Sequence, residues 1–545
     1  MALHGLNRSP SLTRISRRAF VARASAAVSL GILSACTPQV PEPAVAPAKP
    51  PEVPRPAGTA APAAAKRTGE VLFLHSGVLR SLDPHSFYAG FEMRTWQHIY
   101  DPLVGLSPTG DKFVGRMAES WSTSQDGLAW TFNLRKGVKF SNGDDLTSEA
   151  VRATFQRAID NKKLPYSFMF DPISSIETPD PFTVIIRTKL PTASFLGDLS
   201  ICYIAHPNIA KAGGEAWNEA IGAGPFKVIE FKPNEQLVLE GRADYWEPGI
   251  PKLNRLTIRR VAEESARIAG IMSGEAQATE ALPFQAMQQL VGHATLNPLN
   301  VTLWGYGVLH ANLNRPMLES PKIRQAISYA IDRQALTANV MQSGRPLATY
   351  PPEGVLGYDA SLPANPYDPE KAKQLIKEAG TDISGEMKLN FGVGQWARVE
   401  EETQFIADQL RQVGFNVSVN SMEAAAEQVA RASGNHDMFV TEGNVITGDP
   451  HVAFATYVLA DPYKEGFTEK YKNDPMMETL RMANQVMDAS KREELYKAAG
   501  KLLSDNPPRI YLYQNDWPLV YNKKLIDPPT DPTRLLNWRA TGWAD

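Results

Sequence analysis

The sequence predicts an α/β protein with more than one domain, on three observations. The chain has 545 residues, ample for more than one hydrophobic core. Between Tyr367 and Val419, stretches with helical apolar spacing alternate with short runs of strand character, the signature of an α/β layer. Between Ala118 and Val151, two turn signals separate an alternating stretch from a segment whose apolar residues recur every four positions. That order reads as strand, turn and capped helix.

Composition excludes several classes of function. Net charge is −3, with no basic block in the mature part, so nucleic-acid binding has no electrostatic support. Cys36 and Cys202 are the only cysteines; they allow one disulfide at most and no zinc cluster. Neither CxxC nor HExxH occurs, and His75, His85, His98, His310, His436 and His451 lack paired-ligand spacing. No metal and no cofactor is expected. No GxSxG elbow occurs either, and isolated carboxylates do not argue a glycosidase pair. No motif supports an exported peptidase or glycosidase, which stays an alternative reading.

The N-terminus reads as a targeting segment. Arg8, Arg14, Arg17, Arg18 and Arg23 make a basic start, and Ser16-Arg17-Arg18-Ala19-Phe20 resembles a twin-arginine export motif. General export signals also carry arginine pairs, so the route stays open. The apolar run Ala24–Ala35 is too short to span a bilayer. It ends in Leu33-Ser34-Ala35-Cys36, which resembles a bacterial lipobox and would make Cys36 the lipidated first residue of the mature protein. An ordinary cleavage site with an incidental cysteine is the alternative. Nine prolines fall between Pro38 and Pro62 without apolar periodicity, so residues 37–68 form no core and read as an extended tether. No later run of about 18 apolar residues predicts a spanning helix.

The body then follows in order. Glu70–His75 is a strand, Ser81–Pro84 a turn, and Glu92–Tyr100 a helix leading into Tyr100-Asp101-Pro102-Leu103-Val104. Asp126-Gly127 and Asn142-Gly143 are turns around a strand in which Trp130, Phe132 and Leu134 alternate with polar residues. Thr147 is placed to cap a helix with Glu149 in its first turn and Val151, Phe155 and Ile159 on one face. Pro181–Arg187 and Gln236–Glu240 are strands, and Glu264–Gly274 is a helix closing at glycine. Gly222-Ala223-Gly224 lacks the third glycine and the following helix of a phosphate loop, so it is read as backbone turning. Val301–Asn314 is a strand carrying Trp304 and Tyr306. Ser320–Arg333 is a helix with Pro321 in its first turn and Ile323, Ile327 and Ile331 on one face. Tyr367–Gly380 is a capped helix ending in glycine, followed by strand Lys388–Phe391, helix Glu401–Val413 and strand Asn416–Val419.

AESWSTSQDGLAWTFNLRKGVKFSNGDDLTSEAV from Ala118 to Val151 also resembles the signature region of the family 5 solute-binding proteins of ABC importers, which include oligopeptide-, dipeptide- and nickel-binding proteins. Ile323–Arg333 resembles the family's VRQALSYAIDR helix, Gly222–Phe226 its GTGPF segment, and Asp244-Tyr245-Trp246 its DYW. The resemblance covers residues 69 to 545. It implies a two-lobe periplasmic-binding-protein-like fold of type II, with an extra inserted domain and the ligand in the interlobe cleft. The implied segments are 69–105, 217–284 and 515–545 for lobe 1, 106–216 for the inserted domain, and 285–514 for lobe 2, after the signal peptide 1–36. The implied function is that of the substrate-binding component of an ABC importer, capturing a peptide or other small polar solute. It would be a monomer in the periplasm, held to the membrane by a lipid and working with a permease and ATPase. Receptor or chaperone use of the same fold is a further alternative.

A cleft of this kind needs aromatic surface and a few converging polar groups. The candidates are Trp304, Tyr306, Trp396 and Arg398 of the Gly392–Arg398 loop, Asn444, Asp449 and Trp517. Trp304 and Tyr306 can equally be core residues of a strand, and Arg398 a solvated partner of Glu400–Glu402. The resemblance adds Ile446. Peptide-binding members carry an aspartate three residues before the acid of the Gly448-Asp449-Pro450 loop, where it pairs with the peptide's amino group. Isoleucine supplies no such charge, which argues against strict dipeptide recognition.

Overall fold

The structure is a computed structural model, and it describes residues 69–86, 91–165, 167–457, 471 and 473–544. Cys36, Arg17, Arg18 and the proline-rich tether lie outside the described residues. Among those described, no helix is long and apolar enough to cross a membrane.

One eleven-stranded sheet organises the body. Glu70–His75 lies parallel to Arg255–Arg260 on one side and to Ala278–Glu280 on the other. Phe226–Lys232 and Gln236–Gly241 extend the first edge. At the far end Met438–Asn444, Glu386–Gly392 and Asn416–Met422 form a second group. Two long antiparallel strands, Leu296–Ala311 and Arg509–Asn522, run between the groups. One end of the pair belongs to the first group, through Ala278↔Tyr521, and the other to the second, through Gly305↔Asn444. Their register shifts between Thr302 and Tyr306 and again between Gly307 and Val308. Such irregularities bend a strand pair and raise its twist, and here they sit where the chain passes from one lobe to the other.

Each lobe has its own core. One cluster joins Phe73, Trp96, Leu256 and Trp538 with Trp130, Phe132, Phe155 and Val184. The separate four-stranded sheet formed by Ala118–Thr123, Ala129–Leu134, Thr183–Thr188 and Ile173–Asp180 therefore shares a continuous core with the first lobe. The second cluster gathers Ile323, Ile327, Leu389, Ile406, Met438 and Tyr513.

The quoted motifs turn out to be fastenings. Asp101 accepts bonds from Arg116 (3.0 Å), Tyr245 (2.5 Å) and Trp246 (3.2 Å), so segments more than a hundred residues apart meet on one buried carboxylate. A Cβ on Gly222 or Gly224 would collide with the backbone of Ile99 and Tyr100; close approach, rather than turning, demands these glycines. The helix expected over Ser320–Arg333 stops at Ala330. Ile331 is extended, and Asp332 caps a new turn by accepting from Ala335 N–H at 2.9 Å. This break frees Arg333 to donate to the carbonyls of Tyr511 and Ser328, each at 2.8 Å, tying the segment to the strand that joins the lobes. Thr147 occupies the N-cap position of Ser148–Asp160, but its side chain accepts no capping bond. Asp368, by contrast, caps Pro369–Ala379 through Lys371 N–H, and Gly380 closes that helix in the left-handed region.

Candidate ligand cleft

Side chains along a strand alternate between its faces. On Arg509–Asn522, Tyr513, Asn515 and Trp517 are two residues apart and share one face. A Cβ on Gly307 would strike the Tyr513 ring, and one on Gly305 the Asn515 side chain, so these two glycines make room for the row. On the next strand Glu442 faces Gly307 and Asn444 faces Gly305. Aromatic and polar groups from both lobes are thereby set over a glycine floor.

Trp517 stands between two guanidinium groups. Arg94, from the helix Phe91–Ile99, lies 5.1 Å from its ring and Arg534 lies directly against it. Arg94 is held by both oxygens of Glu280, at 3.0 and 3.2 Å. Arg534 has a looser partner: its Nη1 is 3.8 Å from Glu442. Burial raises the Glu442 carboxyl against the opposing pull of Arg534, Asn515 and Arg94. Burial and the neighbouring Arg94 hold the Arg534 guanidinium well below its usual range. Asn444 donates to the Thr533 carbonyl and so spans the two lobes. Buried polar atoms are normally paired, yet Nε of Arg534, Oδ1 of Asn444, Oδ1 of Asn515, Nε1 of Trp517 and Oδ2 of Asp531 have no partner.

A second buried acid adjoins the row. Glu402 accepts from Trp396 Nε1 at 2.9 Å and from Tyr513 OH at 3.1 Å. Burial pushes its carboxyl up to about 8, with a further contribution from Glu442, so it is largely protonated at neutral pH. Trp396 thus reaches the cleft face through Glu402.

The sequence candidates divide accordingly. Asn444 and Trp517 lie in the cluster around Glu442 and Arg534, where Trp517 also packs in a buried apolar group with Val301, Leu303 and Leu519. Trp304 instead fills the seam between Gly110, Gly354 and Gly448, with its backbone N–H donating to the Pro532 carbonyl at 2.9 Å. Tyr306 is a core residue of the second lobe, edge-on to Tyr350 and Tyr511 at 5.3 and 5.4 Å. Arg398 spends its guanidinium on the Val340 carbonyl. Ile446 packs against the core of the first lobe. The Asp449 carboxylate is taken by Arg492 (2.5 Å), Tyr496 (3.3 Å) and the His451 N–H (2.9 Å); it fastens its own loop. Arg94, Glu280, Glu402, Glu442, Tyr513, Asn515 and Arg534 were not among the candidates. The alternation of Tyr513, Asn515 and Trp517 opposite Gly305 and Gly307 was a readable signal for part of this set. The Arg94–Glu280 pairing across 186 residues was not.

A groove of about 550 Å³ lies elsewhere, lined by Phe284, Gln334, Thr337, Gln342 and Arg345. It adjoins Gly344, whose N–H donates to Asp516 at 3.0 Å. Asp516 alternates with Trp517, so the groove adjoins the opposite face of the strand. Among the described residues no group of three or more His, Cys, Asp or Glu side chains could hold a metal ion.

Residues 112–465 match the family described as bacterial extracellular solute-binding proteins, family 5 middle. The glutathione-binding protein GsiB of Shigella flexneri serotype 5b is 29% identical over 465 residues, covering 82% of this chain and 89% of its own. Among solved structures, the periplasmic binding protein DppA from Helicobacter pylori, in complex with the peptide STSA, superposes with a TM-score of 0.81 at 23% identity, over 88% of this chain and 99% of its own. The binding protein AgaA from A. tumefacien R10, in complex with agropinic acid, gives 0.78 at 24% identity, over 88% and 99%. These likenesses establish the fold as the two-lobe periplasmic-binding-protein architecture of type II.

Proposed function

Because the chain belongs to the bacterial extracellular solute-binding proteins, family 5, we propose that it is the substrate-binding component of an ABC importer. It captures a peptide or other small polar organic solute outside the cytoplasmic membrane and delivers it to the permease and its ATPase. One observation carries the placement of the site. The strands joining the lobes present Tyr513, Asn515 and Trp517 beside Glu442 and Asn444, with five buried polar atoms left unpaired around them. Unpaired buried groups of both donor and acceptor type are what a polar solute would satisfy when the lobes close on it. The solutes named for the relatives, glutathione, a tetrapeptide and agropinic acid, are all small polar organic molecules.

In this reading Asn444 and Trp517 contact the solute, and Trp396 supports the cleft through Glu402. Trp304, Tyr306, Arg398, Ile446 and Asp449 hold the surrounding structure. The protein works as a monomer in the periplasm. Residues 1–36 direct export, lipidation of Cys36 anchors the chain, and residues 37–68 let the body reach the permease. The division into lobe 1, inserted domain and lobe 2 at residues 106, 217, 285 and 515 belongs to the same proposal. Isothermal titration of the protein with peptides, amino-acid conjugates, sugars and metal chelates tests the function. Saturable one-to-one binding of a polar organic solute supports it, and binding of none of these classes opposes it.

A further inference from the structure

Arg534 and Glu442 make the widest ion pair among the described residues. Arg94 and Glu280 share two bonds at 3.0 and 3.2 Å. Arg116 reaches Asp101 at 3.0 Å, and Arg492 reaches Asp449 at 2.5 Å. Arg534 and Glu442 approach only to 3.8 Å, beyond hydrogen-bond distance. Both side chains are largely enclosed, with 17% and 15% of their surface exposed. Enclosed charges are costly unless bonded closely. Arg534 nevertheless keeps Nε unpaired, and Trp517, against which it lies and which is only 7% exposed, keeps Nε1 unpaired.

The two charges also come from opposite lobes. Glu442 belongs to Met438–Asn444 of the second lobe. Arg534 belongs to the C-terminal segment, which is fastened to the first lobe by Trp538: its ring lies 5.2 Å from Phe73 and its backbone N–H donates to His98 Nε2 at 3.1 Å. A guanidinium with an unpaired Nε and a carboxylate therefore stand side by side across the cleft, beside an aromatic ring.

We propose that the cleft recognises an α-amino-acid head group, an ammonium and a carboxylate on one carbon, with the carboxylate on Arg534, which lies against Trp517, and the ammonium on Glu442. Spacing favours such a head group. In such a head the two charges lie within about 3.5 Å of each other by covalent geometry, which suits protein charges that are themselves adjacent. An α-linked peptide carries its terminal charges apart, by roughly 3.5 Å for each residue in an extended chain. The planar fork of Arg534 grips a carboxylate with two parallel bonds, and the unpaired Oδ1 atoms of Asn515 and Asn444 can accept from the ammonium. The favoured solutes are those that extend from the amino-acid side chain and leave the head free. This inference rests on the solute-binding reading and narrows it.

Two isomers of equal composition and charge test it. The full chain is titrated calorimetrically with γ-L-glutamylglycine, whose head group is free, and with α-L-glutamylglycine, whose α-carboxyl is consumed in the peptide bond. The γ isomer is expected to bind at least tenfold more tightly. Arg534→Gln and Glu442→Gln are each expected to weaken the γ isomer at least tenfold and to bring the two isomers within about twofold. Arg534→Lys, which keeps the charge and loses the fork, is expected to fall between. Equal binding by the wild-type protein, or preference for the α isomer, overturns the head-group proposal and leaves solute capture standing. Binding of another solute class with neither isomer recognised does the same. Failure of every solute class to bind overturns both.

Discussion

Replacing Glu402 with Gln removes a pH-dependent penalty on folding, and its size follows from the burial of the group. The carboxyl is enclosed, accepts from Trp396 and Tyr513 through one oxygen, and leaves the other unpaired. It holds its proton up to about pH 8 in the folded protein, against an ordinary value of 4.5. Between those limits the folded state binds a proton that the unfolded state has lost, so stability falls as pH rises. The contribution is whole below pH 4.5 and gone above pH 8. At about 1.4 kcal/mol for each pH unit, the loss amounts to about 5 kcal/mol. Glutamine copies the protonated acid in shape and does not titrate. Urea unfolding of wild type and Glu402→Gln from pH 5 to pH 9 measures the effect. The two proteins should differ by about 1 kcal/mol or less at pH 5, and the variant should become the more stable by several kcal/mol at pH 9. Parallel stability curves across that range would refute the reasoning.

Asp449→Asn breaks the buried pair with Arg492 and should cost about 3–5 kcal/mol of stability, seen as a lowered unfolding midpoint, while solute affinity stays within about twofold. Trp517→Ala removes the ring that supports Arg534 and should weaken solute binding by about 1–3 kcal/mol in calorimetry, with the fold retained by circular dichroism. Cys36→Ser should move the protein from the membrane fraction to the soluble periplasmic fraction of expressing cells and abolish incorporation of labelled fatty acid.

Much of the fold was legible because its strands and helices carry regular apolar periods. Glu70–His75, Ser148–Asp160, Pro369–Ala379 and Asn416–Met422 all lie where alternation or four-residue spacing places them. The break at Ile331 was not legible, because Ile331 keeps the apolar phase of the helix and only the capping by Asp332 and the reach of Arg333 reveal the interruption. The strand Ala278–Glu280 was missed as well: three residues are too few to show a period.

The site was less legible than the fold. Trp517 and Asn444 stood out as residues able to bind. Tyr306 and Trp304 stood out equally, and nothing in the order of residues separates a ring that faces a cleft from one that fills a core. Asp449 drew attention through its loop, but its Arg492 partner lies 43 positions away. Arg534 carries no signal in the sequence, because only the folding of the C-terminal segment brings it against Trp517. Long-range pairing decides which charges are closely bonded and which are left loosely paired.

The account's central claim is that a polar solute is held between the lobes at the Trp517 face. Native mass spectrometry of the protein purified without refolding, before and after exposure to a mixture of small polar solutes, tests it most directly. The account predicts a single adduct of discrete mass at one solute per protein, lost or strongly reduced in Trp517→Ala and in Arg534→Gln. A protein that stays bare in every mixture, or an adduct that survives both substitutions undiminished, would contradict it.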